Sequence, residues 1–197
     1  MKSLDLREVE SHIINLDSQP DKLERVASRL TERGLSAARF SAIQHEQGVV
    51  GCALSHIELL SKVSAPVLIL EDDVVPTEAW NPIIEVSDEV DAVYLGVSNW
   101  GYVRPHLDRS YYSTVIASQY DENYKRVYNM CSTHAILYLN DDIIKKTIDI
   151  TQRAVDNNSP FDLWLAENQN KNIIITPNEP MVYQEDLPQF TNFTLNV

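Results

Sequence analysis

The chain is poor in glycine, cysteine and basic residues, and each scarcity argues against a class of protein. Its 197 residues include five glycines, and none belongs to a phosphate-binding loop of the G-x-G-x-x-G or Walker type. With 16 basic and 29 acidic residues the formal net charge is −13, which argues against unaided binding to nucleic acid or to anionic membranes. The two cysteines, Cys52 and Cys131, lie in apolar stretches and are expected to pack as small hydrophobic side chains.

Long apolar runs are also missing. No stretch is long enough to span a bilayer, and none has the charged start and apolar run of a signal peptide, so we expect a cytoplasmic protein without a membrane span. The hydrophobic content of 44% and the length fit one globular domain. We predict that this domain covers residues 1–186 and that a polar tail follows at 187–197; the oligomeric state stays open.

The most informative stretch is an apolar run, 67–70, that ends at three consecutive carboxylates: Glu71, Asp72 and Asp73. A buried strand cannot hold three uncompensated charges, so the triplet is expected at the strand's C-terminal end. Ligands bind at that edge of open α/β sheets. Carboxylates there favour a hard divalent cation, Mn²⁺ or Mg²⁺, which takes oxygen ligands and can bridge to phosphates. The alternative is a solvated acidic turn.

Hydrophobic periodicity predicts alternating strands and helices along the chain. The predicted strands cover 12–16, 38–43, 67–70, 91–96, 111–117, 133–139, 172–176 and 181–184. The predicted helices cover 20–33, 49–63, 77–86, 140–156 and 163–168. This alternation predicts an α/β fold with a Rossmann-type, mostly parallel sheet flanked by helices.

Several motifs occur in the order found in one enzyme family. They are the segments 14–17, 51–56 (Gly-Cys-Ala-Leu-Ser-His), 68–74 (Leu-Ile-Leu-Glu-Asp-Asp-Val), 94–96 and 133–138, followed by a segment around Asp162 and by 180–184. Through these motifs the chain resembles glycosyltransferase family 25, which includes lipooligosaccharide and collagen galactosyltransferases. The resemblance covers residues 12–185 and implies a GT-A-like fold that uses a nucleotide-sugar donor.

The resemblance also implies roles for the residues at the expected donor site. Asp72 and Asp73 would hold the metal, with Asp73 as the first-ranked ligand, and Glu71 would face the sugar or the ribose. Asn15 and Asp17 follow the first predicted strand, where such folds contact the nucleotide, although a role in the turn is the alternative. The helix that carries Ser55 and His56 would then be either a structural or a donor-site helix.

Other residues are candidates for the base and for the acceptor site. Asp162 is the first choice as general base, because it would open a helix at the ligand edge; an N-terminal helix position without catalysis is the alternative. Glu185 and Asp186 are the fallback pair. Trp100 is a candidate for a mobile acceptor lid, and His134 for contact with phosphate or acceptor.

Cys52 and His56 lie one helical turn apart and could touch. A Cys–His pair without a third ligand is a weak metal signal, so packing or hydrogen bonding is the favoured role for His56.

The favoured function is a metal-dependent, inverting glycosyltransferase with a nucleotide-sugar donor, for which a UDP-hexose is one candidate. The acceptor could be a glycan, a protein hydroxyl or a modified nucleobase. A non-catalytic sugar- or nucleotide-binding module is the main alternative, favoured slightly because the first predicted helix has no arginine before Arg25, whereas the family usually has arginines around the position of Gln19. A metal-dependent phosphohydrolase is a third hypothesis, for which no convincing set of further ligands is visible.

Overall fold

A computed structural model describes residues 1–98, 100–103 and 111–185 of the chain. Its strands are β1 (Lys2–Asp5), β2 (Glu10–Asn15), β3 (Ala38–Ser41), β4 (Val67–Glu71), β5 (Val74–Pro76), β6 (Ile83–Val86), β7 (Ala92–Tyr94), β8 (Trp100–Val103), β9 (Tyr111–Thr114), β10 (Ala117–Gln119), β11 (Tyr124–Val127), β12 (Ala135–Tyr138), β13 (Ile174–Pro177) and β14 (Val182–Gln184). Its α-helices are α1 (Pro20–Glu32), α2 (Gly48–Leu60), α3 (Asp141–Asp156) and α4 (Phe161–Asn168).

Eight strands form one large sheet in the order β10-β11-β13-β7-β12-β4-β2-β3. The pairs β2–β3, β2–β4 and β13–β7 are parallel. Strand β12 lies between β4 and β7 and is antiparallel to both. The α/β class, with a large sheet and flanking helices, is therefore confirmed, and the sheet is mixed because β12 and β11 each run antiparallel to both of their neighbours.

Both faces of the sheet are buried, which explains why its central strands are continuously apolar. In β4, Leu68 and Leu70 belong to the core cluster that contains Val26 and Leu30 of α1. Their neighbours Val67 and Ile69 pack in the opposite cluster with residues of α2 and α3. Because strand side chains alternate between faces, the carboxylates that follow β4 emerge at the edge between these two layers.

The predicted helix over 77–86 is wrong. Ile83–Val86 is the strand β6, which pairs antiparallel with β1, so that Leu4 lies opposite Ile84. Local capping signals at Thr77 favoured a helix, whereas pairing with a strand about 80 residues earlier in the chain decides the outcome. Most other predicted elements agree with the observed ones, and Asn140 caps α3 by accepting a hydrogen bond from the backbone N–H of Ile143 at 2.9 Å.

Some predictions fall on residues that the structure does not describe. Asp186 and the tail at 187–197 lie outside the described residues. Within the described chain, no helix is both long enough and apolar enough to cross a membrane.

Candidate functional site

A cleft lies where the C-terminal ends of β2 and β4 meet the start of α2. It has a volume of about 180 Å³. Gly48, Gly51 and Cys52 of α2 border it on one side, and Glu71 and Asp72 border it on another. The parallel register of β2 and β4 brings these groups together, because Ile14 pairs with Glu71 and Asn15 follows directly. The acidic triplet therefore lies at the carboxyl edge of the sheet, as the sequence predicts.

Asn15 is buried and connects three parts of this edge. Its amide nitrogen donates to Asp72 Oδ2 at 2.7 Å and to the carbonyl of Gln19 at 3.0 Å. Its Oδ1 accepts from Arg39 Nε at 3.1 Å. Arg39 and the Ser41 hydroxyl also bind the Asp17 carboxylate, and they lower the pKa of Asp17 below its usual value. Asn15 thus positions Asp72, while Asp17 lies more exposed at the rim.

Asp73 is the least satisfied of the three carboxylates. Its Oδ2 accepts a hydrogen bond from Gln184 Nε2 at 3.1 Å, whereas its buried Oδ1 has no hydrogen-bond partner among the described residues. Burial, with the nearby charge of Glu71, raises the pKa of Asp73 to about 6. A buried acceptor without a donor is costly, so this oxygen is suited to a cation.

Glu71 is held by two neighbouring side chains. Its Oε1 accepts from the Thr133 hydroxyl at 2.8 Å and lies 3.4 Å from His56 Nε2. Burial is the strongest influence on the pKa of Glu71 and raises it, but His56 and Thr133 together outweigh burial and leave this pKa below its usual value. Glu71 is therefore a fixed anion at the cleft rather than a proton donor.

The start of α2 is held against the loop that follows β3. A Cβ at Gly51 would lie 2.7 Å from the carbonyl oxygen of Ile43, so glycine allows a close approach that other residues would block. The Ser55 hydroxyl donates to the Gly51 carbonyl at 2.7 Å and accepts from the Ile43 N–H at 2.8 Å. Ser55 borders the cleft, but these two bonds give it a structural role.

The candidate bases have different surroundings. Asp162 lies in the first turn of α4, where its Oδ1 accepts from the Leu163 N–H at 2.9 Å, and burial raises its pKa. Burial raises the pKa of Cys52, a residue that lines the cleft, and the negative charges of Glu71 and Asp162 raise it further. Glu185 instead pairs with Arg29 at 2.6 Å and Arg25 at 3.5 Å, and Arg29 lowers its pKa. A lowered pKa makes Glu185 the weaker proton acceptor.

The candidate acceptor residues lie apart from each other. His134 is 1% exposed, its Nδ1 lies 3.1 Å from the Ser132 hydroxyl, and its ring occupies the space beside Gly96. This burial gives His134 a packing role and does not support direct contact with an acceptor. Trp100 in β8 is 52% exposed and could contact a ligand.

The sequence interpretation missed a row of basic side chains on α1. Lys22, Arg25 and Arg29 recur at helical spacing, and this spacing is visible in the sequence. Lys22 Nζ lies 3.9 Å from Asp72 Oδ1, and the two arginines reach Glu185. This row places positive charge beside the acidic edge.

Comparisons with known proteins add little to this geometry. No protein-family model and no curated protein sequence matches the chain. Among solved structures, it is similar to the CTP:phosphocholine cytidylyltransferase from Streptococcus pneumoniae, with a TM-score of 0.44 and 8% identity over 89% of this chain and 92% of that one. A similarity at this level carries no argument about activity.

Proposed function

We propose that the chain is a metal-dependent glycosyltransferase that moves a sugar from a nucleotide-sugar donor to an acceptor hydroxyl. The single observation that carries this proposal is the buried Oδ1 of Asp73, which lacks a partner in the described chain at the ligand edge of the sheet. The motif resemblance to glycosyltransferase family 25 supports the same function, as do the cleft and its border of carboxylates.

The residues present fit a hard divalent cation. Asp73 offers one oxygen without a hydrogen bond, and Asp72 offers Oδ1, which lies 3.9 Å from Lys22 Nζ. Mn²⁺ and Mg²⁺ take about six oxygen ligands, so donor phosphate and water would complete such a site. The bound cation would neutralise the diphosphate as it departs.

The start of α2 is suited to the donor diphosphate. This helix has no acidic residue in its first turn, and the side chain of its N-cap residue, Gln47, makes no capping hydrogen bond. The N–H groups of Val50 and Gly51 bond the Gln47 carbonyl, which leaves those of Gly48 and Val49 for an anion, and the helix dipole favours negative charge there. Gly48 borders the cleft at this end, and because a Cβ there would meet nothing within 4 Å, it leaves space for close approach.

In the proposed reaction the acceptor oxygen forms a bond to the anomeric carbon on the face opposite the donor diphosphate. The bond between that carbon and the diphosphate oxygen breaks, and the nucleoside diphosphate leaves. The acceptor proton passes to a carboxylate, for which Asp162 is the proposed base because its raised pKa brings it nearer to neutral pH.

A second, larger cavity supports a glycan as the acceptor. It has a volume of about 590 Å³ and is bordered by Tyr102, Tyr128 and Trp164, with Arg153 and Lys171. Sugars stack on aromatic faces, and Trp164 belongs to α4, the helix that also carries Asp162. A protein hydroxyl or a modified nucleobase would be tested as alternative acceptors.

The first test is calorimetric binding of a panel of nucleoside diphosphates with and without Mn²⁺. We expect one nucleotide to bind only with the metal, and Asp73→Asn to abolish this binding. Asp149→Asn, which removes an exposed charge on α3, is the matched control and should bind as wild type does. If the wild-type protein binds no nucleoside diphosphate with any divalent metal tested, the proposal is wrong.

A turnover assay distinguishes the proposed glycosyltransferase from a non-catalytic binding module. If the chain binds a nucleotide with metal but releases no nucleoside diphosphate from any sugar donor in the presence of glycan acceptors, the module is favoured. Loss of turnover in Asp162→Asn with nucleotide binding unchanged would instead support a transferase with Asp162 as base.

A further inference from the structure

Three side chains of different chemistry converge at the inner end of the cleft. Cys52 and His56 lie one turn apart on α2, and Glu71 ends β4. Their potential ligand atoms all lie within 4.8 Å of one another. The sequence contains only the Cys–His pair as a recognisable signal, and packing of α2 against the end of β4 supplies the third group.

His56 is the observation that points to a ligand. It is 1% exposed, and neither ring nitrogen has a hydrogen-bond partner in the described part of the chain. A buried imidazole normally forms at least one hydrogen bond, because its nitrogens lose their water on folding. Phe161 packs against this ring with centroids 4.8 Å apart, and Glu71 Oε1, which lies 3.4 Å from Nε2, makes no hydrogen bond with it.

The spacing of His56 and Glu71 suits a shared metal ion. Nε2 and Oε1 lie 3.4 Å apart, in a geometry that makes no hydrogen bond. Two ligands bound to tetrahedral Zn²⁺ at about 2.0–2.1 Å are themselves about 3.3 Å apart. The Thr133 hydroxyl donates to Glu71 Oε1 at 2.8 Å, and it thereby acts as the supporting partner that metal-binding carboxylates commonly have.

We infer that Cys52, His56 and Glu71 form a binding site for a thiophilic transition metal, for which Zn²⁺ is the best fit. One thiolate, one imidazole and one carboxylate are a ligand set that Zn²⁺ accepts and that Mg²⁺ does not favour. Cys52 and Glu71 line the cleft, so the fourth coordination position faces it and is open to water or to an oxygen of a cleft ligand.

This site is distinct from the cation site proposed at Asp72 and Asp73. That site offers carboxylate oxygens to a hard ion, whereas this one offers sulfur and nitrogen. The two can therefore be separated by the metal that each one binds.

The test is titration of chelator-treated protein with Co²⁺ alone and then with Zn²⁺. Co²⁺ is expected to give one equivalent of binding with a thiolate-to-cobalt charge-transfer band and the intense visible bands of tetrahedral coordination. Zn²⁺ should displace it. Cys52→Ser should remove the charge-transfer band and weaken Zn²⁺ binding by more than the roughly 10–100-fold that loss of a supporting partner costs.

Two matched controls use the other free cysteine and the other histidine that is 1% exposed. Cys131→Ser and His134→Gln should keep the cobalt spectrum, whereas His56→Gln should lose it. Asp73→Asn should also keep the spectrum, which separates this site from the proposed Mn²⁺ site. A thiolate band that survives Cys52→Ser, or no cobalt binding by folded wild-type protein, would overturn the inference. Cys52→Ser is the decisive variant if His56→Gln does not fold.

Discussion

The two sides of Glu71 show how the same kind of buried polar group can serve packing or binding. On the packed side, made of Gly96, Ser132 and His134, the histidine ring fills space that a missing Cβ at Gly96 provides. On the open side, made of Cys52, His56 and Asp73, Cys52 lines the cleft, and both ring nitrogens of His56 and Oδ1 of Asp73 have no hydrogen-bond partner among the described residues. Both histidines are 1% exposed, so burial alone does not distinguish the two roles. The polar neighbours of each ring do distinguish them, because His134 Nδ1 lies 3.1 Å from the Ser132 hydroxyl, whereas neither ring nitrogen of His56 has a hydrogen-bond partner in the described chain.

The largest effect expected from the packed side is a pH dependence of stability. Burial lowers the pKa of His134 to about 4, against 6.5 for an ordinary histidine. Between these values the unfolded chain binds more protons, so stability falls as pH falls from 6.5 towards 4. This group should account for a loss of about 2–3 kcal/mol between pH 7 and pH 4. Denaturant unfolding of wild type and His134→Gln across this range tests it, and equal slopes would contradict it.

A side chain at position 96 should disrupt the packing of His134 and destabilise the protein. A Cβ there would lie 1.8 Å from His134 Nε2, so Gly96→Ala forces the ring or the strand to move. We expect a loss of about 1–3 kcal/mol of unfolding free energy. The double variant Gly96→Ala/His134→Ala should lose less than the sum of the single losses, because the clash disappears. Additive losses would show that the ring is not the obstacle.

On the open side, stability should depend on pH in the opposite direction, falling as pH rises. Asp73 has a pKa raised to about 6 from 3.8, so between these values the folded chain binds more protons than the unfolded chain. Its charged form therefore lowers stability above pH 6. In the presence of a chelator, Asp73→Asn should be more stable than wild type at pH 7 by on the order of 1 kcal/mol, and the gain should shrink towards pH 4. A destabilised variant at pH 7 would contradict this expectation.

Glu185 sharpens the comparison, because it is an acid near the same edge that is already paired. Arg25 and Arg29 hold its carboxylate near the surface. Ion pairs near the surface contribute little even when they are half-buried, so Glu185→Gln should lower the free energy of unfolding by less than about 1 kcal/mol. It should also leave Mn²⁺-dependent nucleotide binding unchanged. Loss of that binding would show that Glu185 takes part in the site, and Glu185 would then no longer differ from Asp73 in this respect.

The sequence predicted the features that depend on local patterns. Strand β4 is apolar because both faces of the sheet are covered, and the carboxylates after it could lie only at the strand's end. The helix over 140–156 was predicted in the same way, and it corresponds to α3. Pairing between distant segments could not be predicted from local patterns. Strand β6 depends on β1, and the reverse direction of β12 depends on its place between β4 and β7. The contact between His56 and Glu71 could not be predicted either, because it depends on how α2 packs against the end of β4.

The position of β12 also bears on how the chain is made. Strand β4 pairs with β2 on one side, but its other neighbour is formed by residues 135–138, more than 60 positions later in the chain. During synthesis the apolar strand Val67–Glu71 therefore emerges long before the segment that completes its hydrogen bonding. An unpaired apolar strand is a template for association between chains. Translation that stalls before residue 135 should thus yield nascent chains that depend on chaperones, while chains extended past β12 should not.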